Sequence, residues 1–295
     1  MPTPSTMGVL AHPQRPNTAP IAKMIAESLR KAGIECWLFT EWTEDEVIGK
    51  VEHTDMVVAI GGDGAMLRAA RVCASHQIPV LGVNKGYLGF LAEISDPDTW
   101  EAQLQKVLRN EYWIEHRMML YTDIIRTDGT VREIGHALND VVLGRSVEAR
   151  TVRLATYIDR HWATTYNADA LIIATATGST AYALAAGGPI LPPELRNILL
   201  VPVAPHLSME RPIVLAEGST VSVIVTADTR TQVEVTIDGT RICDIQPGDR
   251  LQVRASEHIS RFVRLRERNY FYRSLLNRLE PRQSIRTAPE QTQLE

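Results

Sequence analysis

The run MVVAIGGDGAMLRAARVCAS, from Met56 to Ser75, joins an apolar strand to a helix through a glycine turn. Met56 to Ile60 is almost continuously apolar, as a parallel strand covered on both faces must be. Ala65 to Ser75 reads as helix, and Gly61-Gly62-Asp63-Gly64 lies between the two. In a doubly wound sheet, ligands bind beyond the carboxyl ends of the strands. Glycines there let backbone N–H groups approach a phosphate, and a helix N-terminus favours negative charge. An aspartate in such a loop repels phosphate unless a metal or a substrate proton gives it a purpose. Asp63 is therefore a candidate general base or metal partner beside a nucleotide. The alternative is a tight glycine turn in which Asp63 caps the helix. The loop is neither a Walker A sequence nor the G-x-G-x-x-G fingerprint.

On either side of this run, strand and helix alternate. Met7 to Ala11 and ECWLFT (35–40) read as strands, with a helix between them from Asn17 or Thr18. Pro20 sits in its first turn, Ile21, Met24, Ile25 and Leu29 recur at helical spacing, and Gly33 stops it. IPVLGVN (78–84) is the next strand, and Asp96-Pro97 opens a helix with Trp100, Leu104, Val107 and Leu108 on one face. Repeated units of this kind predict a parallel, doubly wound α/β domain over 1–114.

The pattern changes near Glu115. Short alternating strands follow to about Arg266, separated by turns at Asp128-Gly129, Glu217-Gly218, Asp238-Gly239 and Pro247-Gly248. A mostly antiparallel second domain over 115–267 is predicted, interrupted by a helix over Ser179 to Ala186. Tyr272, Leu275, Leu276 and Leu279 again show helical spacing, so a helix over 268–280 is expected to pack back on the first domain. The polar tail 281–295 is expected to be disordered.

The 295 residues are 44% hydrophobic and 22% charged, with a net charge of −4, which gives no overall drive toward nucleic acid or an anionic membrane. Arginines are dense locally, at Arg261, Arg264, Arg266, Arg268, Arg273 and Arg278. They read either as a phosphate-binding patch or, as expected here, as a solvated strand and helix face. Cys36, Cys73 and Cys243 have no zinc spacing, and their odd number argues against a disulfide framework. No signal-peptide pattern and no apolar run of about 18 residues is present. The expectation is a cytoplasmic protein without membrane or nucleic-acid partners.

Two further clusters carry chemistry. Asn139-Asp140 precedes VVLG, as turn formers or as ligand contacts. The segment DALIIATATGSTAY (169–182), continued by AGGPI (186–190), runs an apolar strand into hydroxyls and a helix of small residues. Hydroxyls and free N–H groups at that helix start can bind phosphate or ribose oxygens, and Tyr182 could stack on a base. The alternative is a capped helix packed through its alanines. Arg68, Lys85, His206 and Arg211 are lesser basic candidates, Arg68 placed to pair with Asp63 or a phosphate.

Taken together, these segments resemble the NAD kinase family. The likeness runs in order through GGDG (61–64), GVNKGYLGFL (82–91), Asn139-Asp140, the 169–182 segment, AGGPI and VPVAPHLSMERPIVL (201–215). The resemblance implies a Rossmann-like N-terminal domain and a β-sandwich-like, NAD-binding C-terminal domain. It also implies phosphorylation of the adenosine ribose 2′-hydroxyl of NAD to give NADP. ATP, or polyphosphate in some members, is the donor, with a divalent metal, magnesium expected; the metal ligands are not implied. Asp63 matches the proposed base; Gly61, Gly62 and Gly64 match the phosphate-donor loop. Gly64, Arg68, Asn139, Asp140, Arg150, Asn167 and Asp169 match NAD-binding positions together with Asp63, as do Thr177, Thr180, Ala181, Tyr182, Ala183, Leu184, Ala185 and Ala204. Asp169 matches the acid near the nicotinamide end. A homodimer or homotetramer is implied. The sequence departs from the family at Ala170, Ala176 and Thr240, which stand where Gly, Pro and Gln are usual. A lipid kinase shares the GGDG loop and a two-domain plan, and a non-catalytic NAD-binding regulator would share the binding segments.

Overall fold

The computed structural model describes residues 3–85, 89–146, 150–268, 270–272 and 275. Strand β1 (Thr6–Leu10) leads through α1 (Ala19–Lys31) to β2 (Glu35–Phe39). Helix α2 (Glu44–Val51) leads to β3 (Met56–Ile60), α3 (Asp63–Ala74) to β4 (Val80–Val83), and α4 (Trp100–Leu108) follows. The four strands pair in parallel in the order β2-β1-β3-β4. Every residue of β3 is buried, as its unbroken apolar run requires. Helix α1 buries Ala22, Ile25, Ala26 and Leu29 after a short 3-10 turn at Pro16–Thr18, close to the predicted start. Helix α2 was not legible: it offers only Val47 and Val51 to the core, too few for a period. Its beginning is fixed by Glu46, whose carboxylate accepts from the Thr43 N–H and hydroxyl.

The remainder is strand-rich. It comprises β5 (Trp113–Ile125), β6 (Val131–Ala137), β7 (Asp140–Arg145), β8 (Val152–Ile158), β9 (His161–Ala168) and β10 (Ala170–Thr175). After a one-turn helix α5 (Tyr182–Ala185) come β11 (Asn197–Val203), β12 (Ile213–Ala216), β13 (Val221–Val225), β14 (Val233–Ile237), β15 (Thr240–Ile245) and β16 (Arg250–Arg264). One sheet has the order β12-β11-β10-β7-β14-β15. It faces β5, β8, β13 and β16 across a core that includes Leu120, Leu143, Leu154, Ile173, Val223 and Val235. All four predicted glycine turns join strands. In the β14–β15 turn, Asp238 (φ 47°) and Gly239 (φ 76°) both take the left-handed backbone that a tight hairpin requires.

Long β16 ties the halves together. It pairs antiparallel with β13 and β5, and at Phe262 it pairs parallel with Val80 of β4. The parallel sheet therefore runs on into the antiparallel one, giving a sheet of ten strands. The fold is thus a mixed α/β N-terminal part and a strand-rich C-terminal part.

The helix predicted over Ser179 to Ala186 is shorter and broken: a 3-10 turn at Gly178–Thr180, then α5. Ala181 (φ −105°, ψ −128°) lies outside both the helical and the extended regions and interrupts it. The predicted helix 268–280 lies mostly outside the described residues, and the tail 281–295 wholly so. Tyr270 and Phe271, at the start of that helix, are buried. Among the described residues no helix is long and apolar enough to cross a membrane.

Candidate functional site

Adjacent parallel strands β1 and β3 end side by side, so the loops leaving them meet. Gly61 (φ 143°) adopts a backbone only glycine takes easily, and a Cβ there would lie 2.8 Å from the Ala65 Cβ. Gly62 caps α3 in extended backbone, and Asp63 is the helix's first residue. The helix thus starts earlier than the sequence predicts, and Asp63 is not its cap. The Asp63 carboxylate instead accepts from the N–H groups of Phe90 (3.0 Å) and Leu91 (3.2 Å). The chain after β4 rests directly on it: a Cβ on Gly89 would lie 1.7 Å from Asp63 Oδ1.

Beside the turn, Gly64 is exposed, with nothing within 4 Å of a Cβ built there. It lines a cavity of about 420 Å³ with His12, Glu44, Arg68, Arg71 and Asp238. Burial, then Arg15 and Arg68, push the His12 imidazole below its ordinary pKa. The Arg68 guanidinium stacks over Trp42 at 4.6 Å and, among the described residues, makes no ion pair with Asp63, contrary to one expectation. Arg71 pairs with Glu44 at 3.0 Å. His12, Arg15, Glu44 and Asp238 were not singled out from sequence, because only the strand order brings them here.

Asn139-Asp140 is held from the β14–β15 turn. The Asp238 carboxylate accepts from the N–H groups of Leu138 (3.0 Å), Asn139 (2.7 Å) and Asp140 (3.2 Å). Asp140 opens β7 and is buried; that burial, then the Asp238 charge, push its carboxyl up to about 7. Burial raises Asp238 as well, against its three backbone donors. The strand β10 and its outgoing turn dock on the same place. Thr175 N–H donates to Asn139 O (2.9 Å) and its hydroxyl to Leu138 O (2.6 Å). A Cβ on Gly178 would lie 2.1 Å from Asn139 O, so glycine is required by close approach.

The remaining predicted residues fall into two groups. Thr177 is buried and its hydroxyl turns inward, accepting from Arg117 at 3.4 Å. Ala183 is wholly buried against Ile172 and Leu199, so its side chain faces the core. Thr180, Ala181 and Leu184 are half-buried, while Tyr182 and Ala185 are exposed. Tyr182 and Asp169 line a second cavity, of about 400 Å³, with Arg145, Glu234 and Thr236. Arg145 Nε pairs with Asp169 at 3.1 Å. Asn167 lies nearby, its carbonyl accepting from the His206 N–H at 2.7 Å. Ala204 is exposed with φ 46°, and Arg150, Lys85, His206 and Arg211 are exposed.

The arginine-rich stretch corrects its predicted solvated face. Arg264 is wholly buried and bonds Glu115 at 2.6 Å, while Arg266 pairs with Glu93 at 3.0 Å. Strand parity was the missed signal, since Phe262 and Arg264 share a face. Among the described residues no group of three or more His, Cys, Asp or Glu side chains converges as a metal site.

Comparison with known proteins finds similarity along most of the chain. Residues 40–112 match the ATP-NAD kinase N-terminal domain and residues 138–265 the ATP-NAD kinase C-terminal domain. An NAD kinase of Dehalococcoides mccartyi (strain CBDB1) is 36% identical over 274 residues, 93% of this chain and 95% of that protein. An NAD kinase of Pseudomonas fluorescens (strain SBW25) is 41% identical over 220 residues, 75% of this chain and 74% of that one. Yeast NADH kinase, solved with NADH, superposes with a TM-score of 0.83 at 24% identity, over 97% of this chain and 90% of that chain. An Archaeoglobus fulgidus NAD kinase, solved with ATP, superposes with a TM-score of 0.73 at 26% identity, over 92% and 97%. Two matched domains in the expected order, and a relative 36% identical over 95% of its length, make this chain a member of the NAD kinase family.

Proposed function

We propose that this kinase transfers the γ-phosphoryl group of ATP to the adenosine ribose 2′-hydroxyl of NAD, giving NADP and ADP, with Asp63 as general base. The carrying observation is Asp63 at the start of α3, fixed by the Phe90 and Leu91 amides at the end of the buried strand β3. A carboxylate offers about four acceptor sites, so two remain for a substrate hydroxyl after two N–H bonds. In the step, Asp63 takes the hydroxyl proton, the ribose oxygen bonds to the γ-phosphorus, and the bond to the ADP oxygen breaks. Such transfer needs positioning and charge stabilisation above all.

The dinucleotide would lie along Asn139-Asp140, Asn167, Asp169 and the segment from Thr177 to Ala185, with Arg150 and Ala204 at its margins. Gly61, Gly62 and Gly64 would receive the donor phosphates, and Arg15 and Arg68 supply cationic charge beside them. Polyphosphate suits that charge as a second donor. The relatives solved with NADH and with ATP support both substrate classes. A divalent cation, magnesium expected, neutralises phosphate charge when bound. The described donor set fits one carried in mainly by the phosphate oxygens, with the Asp63 carboxylate at hand. A cytoplasmic homodimer or homotetramer is the proposed working form.

The test is NADP formation from NAD with ATP and Mg²⁺, read by an NADP-specific dehydrogenase, with NADH and polyphosphate in parallel. Asp63→Asn should keep the fold and lose about 10²–10⁴-fold in kcat. A kcat within threefold of wild type would reject Asp63 as the base. Binding of NAD without any turnover would favour the regulator reading instead.

A further inference from the structure

We propose that Arg117 is a positioning residue that holds the Thr177 turn and the chain over Asp63 in one arrangement, so that seating the dinucleotide and aiming the base are coupled. The inference rests on the reading of Asp63 and of the Thr177 segment given above.

The observations form one chain of contacts. Glu115, Arg117, Arg264 and Tyr270 are all buried. The Glu115 carboxylate accepts from Arg117 Nε (2.9 Å), Arg264 Nη2 (2.6 Å) and the Tyr270 hydroxyl (2.7 Å). Arg117 Nη2 is shared between Glu115 Oε2 (2.8 Å) and the Tyr270 oxygen (2.9 Å), and Nη1 donates to Thr177 Oγ1 (3.4 Å). On the far side, Arg264 donates to Leu91 O (2.8 Å) and Phe90 O (3.5 Å). The Phe90 carbonyl and the Leu91 N–H belong to a single peptide group. Arg264 therefore holds the oxygen of the plane whose N–H points at Asp63.

A buried ion cluster is a poor source of net stability, because desolvation offsets its attraction and apolar replacements are often no less stable. What a planar, five-donor guanidinium supplies is fixed direction. Arg117 points one nitrogen out of the cluster to a hydroxyl in the nucleotide segment, while Arg264 points out to the loop over the base. Burial alone would raise the Glu115 carboxyl, but Arg117 and Arg264 outweigh it and leave it at about 2, so the hub stays charged at any working pH.

The experiment is steady-state kinetics and calorimetric NAD binding on full-length Arg117→Met, Thr177→Val, their double variant and Tyr270→Phe, each first checked by thermal melt. Arg117→Met should raise the KM for NAD about tenfold and lower kcat about 10- to 100-fold in protein that remains folded. The double variant should be no worse than Arg117→Met alone, since both remove one contact chain. Tyr270→Phe keeps the ring, removes one of the two partners of Arg117 Nη2 and leaves its pairing with Glu115, and should show the same pattern more weakly. If Arg117→Met does not fold, the cycle of Tyr270→Phe with Thr177→Val carries the same test. Additive losses, or losses that follow only the unfolded fraction, would overturn the inference while leaving the kinase reading standing. A wild-type protein without turnover would overturn both.

Discussion

Asp140 buries its carboxylate against half-buried Asp238 beside the proposed ribose site, and that carries a cost which depends on pH. The Asp140 carboxyl is pushed up to about 7 in the folded chain, by burial first and by Asp238 second, against an ordinary 3.8. Between those values the folded state holds a proton that the unfolded state has released. Stability is therefore greatest below about pH 4 as far as this group is concerned, and falls as pH rises toward 7, by on the order of 1 kcal/mol per pH unit. Above 7 both states are ionised and the full penalty remains. Asp140→Asn should thus melt above wild type at pH 8, while the two melt nearly together at pH 4.5. An equal gap at both pH values would show that the pair does not share its charge in this way. Asp63 and Asn139-Asp140 were candidates from sequence because the first follows the end of an apolar strand and the pair stands at the entry of another. Asp238 showed only as a turn residue, since its three donors come from a segment about a hundred positions away.

The joint between β7 and the turn leaving β10 is the element on which the proposed dinucleotide surface depends. Gly178 presses on the Asn139 carbonyl, where a Cβ would lie 2.1 Å from the oxygen, and backbone cannot yield as a side-chain tip can. Gly178→Ala should cost about 1–3 kcal/mol by overpacking and raise the KM for NAD more than that for ATP. Thermal melts with varied-substrate kinetics check this, and a variant with unchanged melting and KM would contradict the close approach. Elements with a regular apolar pattern were legible: α1 and α4 repeat an apolar position at helical spacing, and β3 is an unbroken apolar run. Helix α2 and the break at Ala181 were not, because two core contacts make no period and one residue's ψ leaves no trace in composition. Arg264 misled for a related reason, its charge reading as solvated although strand parity sets it beside Phe262.

At the scale of the molecule, length and connectivity argue in opposite directions. A chain of 295 residues is near the size at which separate cores form, and the sequence predicts two domains. Yet β16 runs from the antiparallel part into the parallel sheet, and Phe262, wholly buried, sits where it meets β4 and β5. The guanidiniums of Arg117 and Arg264 lie 5.4 Å and 5.3 Å from its ring. Truncating it removes packing from both parts at once, and a buried Phe→Ala change costs about 3–5 kcal/mol. The expected outcome is that wild type and Phe262→Ala each unfold in one transition, the variant at lower temperature. Far-UV circular dichroism would follow the strands, and fluorescence, with the other four tryptophans replaced by phenylalanine in both proteins, would follow buried Trp100, which donates to Ser28 at 3.0 Å in the α/β part. Coincident curves mean that the shared strand makes one cooperative unit of the two parts. If Phe262→Ala separates the curves, with the Trp100 signal moving and the strand signal staying, the halves are independent cores and β16 is only their border.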